Sequence, residues 1–138
     1  MMPLQQPAHT VDREQLEGAL HDTLYHGARA DELFTYAPSV ITLLIPGFRD
    51  CPLEARAYWA EKIIRRGISD LGGHITEGLS VLLALANDES AGMNLMDRRE
   101  RAAKTLGIKP VTLRKSREKE LLRRLAFQIR YNLAYPDQ

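Results

Sequence analysis

Nine Arg and Lys side chains fall between Arg98 and Lys119, broken by two carboxylates, Glu100 and Glu118. Cations at this density donate charge-assisted hydrogen bonds to phosphate, and a guanidinium can also grip a base edge with two parallel bonds. The chemistry on offer is recognition of a polyanion, not the making or breaking of bonds. Arg114 or Lys115 suits guanine O6 and N7, and Thr112 suits a thymine methyl group or a phosphate. Lys109, Val111 and Glu118 stand in the same stretch and are expected to face base edges with them. Arg98, Arg99, Arg101 and Lys104 precede it. Together with Arg117 and Lys119 they are expected to meet phosphates, contacts that position a protein without reading sequence. For Arg98 and Arg99 an exposed helix start is the competing reading, although a basic pair there opposes the helix dipole.

Two short helices are needed to hold these side chains. Asp97 with Glu100 reads as a capping box opening the first, each carboxylate reaching a free backbone N–H. Ala103 is small enough for a helix crossing, and Gly107, four residues on, suits a turn with left-handed backbone. Leu106, Ile108 and Leu113 supply apolar contacts across the crossing, and Pro110 fits the first position of a second helix. Two helices joined by a tight glycine turn have helix-turn-helix geometry, in which the second helix enters the DNA major groove.

On Ala103, Leu106, Gly107, Ile108 and Leu113 the segment resembles the helix-turn-helix superfamily of bacterial DNA-binding proteins, including the C-terminal modules of response regulators and sigma factors. The resemblance covers residues 97–130. It implies a bacterial DNA-binding regulator whose C-terminal module follows a helical N-terminal half. Lys109 stands where that superfamily often has a Ser or Asp cap, and Ser116 where it often has an aliphatic anchor.

Charge is distributed to match. The chain as a whole carries +1, but residues 96–130 carry a net +8 and residues 1–95 a net −6. A basic segment on an acidic body concentrates positive potential at the motif. The competing reading is a solvated helix steadied by i,i+4 pairs such as Glu120 with Arg124.

No Gly or Pro interrupts residues 111–134, so a single helix is expected to run to Tyr135-Pro136. Leu121, Leu122, Leu125, Ile129 and Leu133 share one face of it, while Leu113 points elsewhere, nearer Phe127 and Tyr131. The apolar face has two candidate partners, the N-terminal body or the same helix of a second subunit in a homodimer.

The remainder reads as an all-α chain: a helical N-terminal body of about four helices, then the helix-turn-helix with a long last helix. The expected divisions are a disordered N-terminus over 1–10, a body over 11–87 and the module over 95–135. Helices are expected from Val11 to about Arg29, from Asp31 with a break at Pro38 to Ile45, from Pro52 to Leu71, and from Thr76 to Ala86. Asn87 to Asn94 reads as a polar connecting loop. The 44% hydrophobic and 27% charged composition is that of an ordinary globular chain, with no run long enough to cross a bilayer. MMPLQQPAHT lacks a basic start followed by an apolar run, so no secretory leader is expected. Cys51 is the single cysteine, which fits a reducing cytoplasm and offers no thiolate metal cluster. His9, His21, His26 and His74 form no constellation for catalysis, so neither an enzyme nor a cofactor is expected.

Three function classes stand at this point. The first is a transcriptional regulator binding double-stranded DNA, with the acidic body free for a ligand, a protein partner or dimerisation. The second is a protein–protein interaction or adaptor module with the same helix geometry. The third is a phage-type packaging or recombination accessory that docks on DNA.

Overall fold

Leu16, Ala19 and Leu20, spaced three or four apart, form the buried side of α1 (Arg13–Asp22). The Asp12 carboxylate opens this helix by accepting the Gln15 N–H at 2.9 Å. In the computed structural model, which describes residues 8–46, 51–86 and 92–136, α1 ends well before the expected Arg29. The Thr23 hydroxyl donates to the Leu20 carbonyl at 2.6 Å, and Gly27 (φ 92°) then turns the chain against Leu83 and Ala84. A Cβ at Gly27 would lie 2.8 Å from that of Ala84, so the turn requires glycine for both space and conformation.

The break expected at Pro38 divides α2 (Ala30–Tyr36) from α3 (Pro38–Leu44), with Pro38 in the first turn. The long amphipathic α4 (Leu53–Leu71) stops at Gly72 (φ 78°). The next helix, α5 (Gly73–Leu82), starts three residues earlier than expected and ends four residues earlier. Then come α6 (Leu95–Leu106), the short α7 (Pro110–Thr112), a π-helical turn over Leu113–Arg117, and α8 (Glu118–Ala134). From Pro110 to Ala134 the helical rod is continuous. The chain is all-α, and the body holds five helices among the described residues where about four were expected. No helix there is long and apolar enough to cross a membrane.

The antiparallel pair α1 and α8 and the long α4 enclose one core, which runs from Leu16, Leu20 and Ile64 through Leu79 and Ala103 to Leu113, Leu125 and Ile129. The division drawn between 11–87 and 95–135 therefore marks a change of charge and not a break in packing. The apolar face of α8 is covered by α1 and α4 of the same chain. Helices α4 and α8 approach so closely that a Cβ at Gly67 would meet Ile129 Cγ1 at 2.7 Å. Of the stretch expected to be disordered, residues 1–7 lie outside the described residues. The His9 N–H donates to the Leu133 carbonyl at 3.2 Å. Most of the expected loop from Asn87 also lies outside them, while Asn94 caps α6.

Helix ends leave carbonyls without intrahelical donors. At the end of α5 three arginines from three other segments fill that need. Arg29 donates to the Ala84 and Ala86 carbonyls at 2.8 and 3.1 Å. Arg65, held at 2.7 Å by Glu61, donates to the Leu85 carbonyl at 2.9 Å. Arg98 donates to the Leu82 carbonyl. Cations at a helix C-terminus also answer its partial negative charge.

Candidate nucleic-acid interface

Three local devices fix the geometry of the α6–α7 unit. Helix α6 opens at Asn94, whose side chain accepts the Asp97 N–H at 2.9 Å. This corrects the expected Asp97–Glu100 capping box: an amide cap one turn earlier already satisfies the free N–H. At the other end Gly107 adopts φ 71°, ψ 28°, in the left-handed region. Its N–H donates to Lys104 O at 3.2 Å, and the Ile108 N–H reaches back to Ala103 O at 3.0 Å, a Schellman closure. Ala103 is fully buried, on a helix that packs chiefly against α5. Pro110 occupies the first turn of α7, and Lys109 precedes it without a side-chain cap.

The π turn resolves the position of Leu113. On an unbroken α-helix Leu113 would lie roughly 80° from Leu121 and further from Leu125, at ~100° per residue. A π turn takes in one extra residue, which offsets the helix by about one residue's ~100°. Leu113 thereby joins the core side and is fully buried. The Glu118 N–H closes the turn on Leu113 O. Ser116, in the middle of the turn, is exposed and returns its hydroxyl to Thr112 O at 3.2 Å.

Three of the residues expected to touch nucleic acid are engaged elsewhere. Arg98 is 1% exposed. Its guanidinium donates to Leu82 O, to Leu24 O at 2.7 Å and to Tyr25 O at 2.8 Å, and its Nε to Met93 O at 3.3 Å. It ties α6 to the body and is closed to phosphate. Burial lowers its pKa, with the neighbouring Arg99 charge adding to the effect. Arg99 grips Glu118 with two parallel bonds of 2.8 Å, Nε to Oε2 and Nη2 to Oε1. Those bonds raise the Arg99 pKa. Glu118 is buried on the core side of the rod, so it cannot face base edges.

Most of the others are exposed, while Arg101 is half-buried. Lys104, Lys109, Val111, Thr112, Arg114, Lys115 and Lys119 all face solvent. Among the described residues, none of the five cations in this group has a carboxylate within ion-pair distance. Arg117 is half-buried and paired with Glu120 at 3.2 Å.

Sequence reasoning missed the opposite wall. Glu14, Glu17 and Asp22 of α1 line an open groove of 1480 Å³ with Arg114, Lys115, Lys119 and Arg123. Arg123 lies 3.9 Å from Glu17 across it. The signal was the acidic charge of residues 1–95, but antiparallel pairing of α1 with α8 is a tertiary fact. The acidic wall disfavours polyanion approach from the α1 side.

No protein-family model matches the chain, and neither does any curated protein or solved structure.

Proposed function

We propose that the chain binds double-stranded DNA as a transcriptional regulator, through a helix-turn-helix made of α6, the Gly107 turn and the rod beginning at Pro110. The observation that carries this reading is that Lys104, Lys109, Arg114, Lys115 and Lys119 are exposed and free of ion pairs among the described residues. Unpaired cations at the start of a second helix are placed to release counterions from a DNA backbone and to reach base edges. Arg98 and Arg99 serve this site by fixing the angle at which these cations are presented.

The test is a fluorescence titration against a genomic fragment library at several salt concentrations. Binding should weaken steeply as salt rises, and Arg114→Ala with Lys115→Ala should remove sequence selectivity while leaving the helical signal intact. Absence of binding by the unaltered chain would overturn the proposal. The groove with its facing acidic and basic walls favours a second reading, an adaptor that seats a peptide carrying both charges. That reading requires protein binding that survives in the presence of excess DNA.

A further inference from the structure

The face of α8 opposite the core is divided. Phe127, Tyr131 and Tyr135 leave 65%, 45% and 57% of their surface exposed and follow at the four-residue spacing that aligns side chains along a helix. Tyr131 and Tyr135 lie ring to ring with centroids 5.1 Å apart. About one turn before Phe127 the same face carries Arg123 and Arg124, both exposed, with Glu17 of α1 flanking Arg123 at 3.9 Å and leaving most of its side chain in solvent. It is cationic toward Glu118 and aromatic toward Ala134, with Phe127 at the boundary. Large exposed apolar stripes rimmed by charge mark interaction surfaces.

We infer that this face is a two-fold, antiparallel contact between two copies of the chain, centred on Phe127. A two-fold contact must be self-complementary, and this face is. Antiparallel pairing about Phe127 lays each Tyr131 against Arg123 of the second copy, so a guanidinium meets an aromatic ring at two equivalent places. Parallel pairing would place Arg123 and Arg124 on their own equivalents, cation against cation. The contact uses no core side chain, so the monomer fold is undisturbed. It also sets a spacing, a point that rests on the DNA-binding reading. Lys115 lies twelve residues from Phe127, so the two Lys115 residues stand about 36 Å apart along the axes, close to the ~34–36 Å between successive half-sites. One helix pair covers less than the ~800 Å² per partner of a standard interface, so association is weak in free solution and stronger where one DNA site holds two copies.

Two measurements on the full chain without DNA test the contact. In sedimentation equilibrium up to several hundred micromolar, the chain should show a reversible monomer–dimer equilibrium. Phe127→Ala should raise its midpoint concentration at least ~10-fold with an unchanged helical signal. In a Cys51→Ser background, Phe127→Cys should oxidise to a covalent dimer. Arg123→Cys alone should not, but mixed with Tyr131→Cys it should give the mixed disulfide. A monomer at all concentrations, or equal self-linking at 123 and 127, would overturn the inference. So would a Phe127→Ala variant that loses DNA affinity with no change in association, which would make the face a stacking surface for nucleic acid. A dimer that binds no DNA would uphold the contact and remove the DNA reading alone.

Discussion

Arg99 and Glu118, nineteen positions apart, clasp each other through two 2.8 Å hydrogen bonds and thereby lock α6 to the first residue of α8. The pair is asymmetric: the Glu118 side chain is 5% exposed and that of Arg99 is 23% exposed. Removing Arg99 strands a buried carboxylate, whereas removing Glu118 leaves a guanidinium that can turn toward water. Arg99→Ala is expected to cost about 3–5 kcal/mol, and Glu118→Ala less. Chemical denaturation of both single variants and the double variant measures this. The double variant should be more stable than Arg99→Ala.

Arg98→Met keeps much of the volume but removes every donor to the Leu24, Tyr25 and Leu82 carbonyls. Hydrogen bonds to a charged group contribute about 1.5–3 kcal/mol each, and carbonyls left buried without donors add to the loss. The expected result is a lowered thermal midpoint or failure to fold. Were Arg98 a phosphate ligand instead, the variant would keep its stability and lose DNA affinity.

Two glycines separate conformational strain from overlap. Gly107→Ala meets nothing within 4 Å but must hold φ 71°, a cost of roughly 1–2 kcal/mol for an L-residue. Gly107→Asn should cost less, since Asn tolerates that region. Gly78→Ala has no such strain, but its Cβ would lie 2.8 Å from Leu106 Cγ. Overpacking of that kind costs about 1–3 kcal/mol, and here it should loosen α5 from α6. Urea unfolding of the three variants, with hydrogen exchange at α6 amides, distinguishes the two causes.

Lys104→Ala and Lys109→Ala should each weaken DNA binding to a similar degree on every sequence. Each should also reduce the slope of log affinity against log salt by about 0.9 if it neutralises one phosphate. Titrations on selected and random duplexes check this. An unchanged slope for both would place the backbone contacts elsewhere.

Much of the local architecture was readable in the residues. Gly107 and Pro110 each have one conformational role they fill cheaply, and each fills it. Pro38 and Gly72 end helices for the same local reasons. What was not readable depended on long-range contacts. Arg98 sits in a run of charges that looks like a solvated helix start, and its burial is decided by carbonyls at Leu24, Tyr25 and Leu82. Glu118 falls on the same face as Leu121, Leu122 and Leu125, but a carboxylate there makes sense only beside Arg99. Leu113 was placed on the wrong side because α-helical periodicity cannot anticipate an extra residue in a turn. The exposed cations were legible as charge, while the acidic wall of α1 facing some of them was not.

The inserted residue between Leu113 and Arg117 has a mechanical meaning. It uncouples the azimuth of the outward cations from that of the inward leucines, like an offset key between two halves of a shaft. Straightening the turn into a plain α-helix of the same sequence would rotate either Leu113 or the stripe after Leu121 out of register by about 100°, whereas deleting Ser116 together with the bulge would keep both on the core side. The surplus residue thus lets Leu113 and the stripe after Leu121 grip one core although their spacing in the sequence does not suit a plain α-helix.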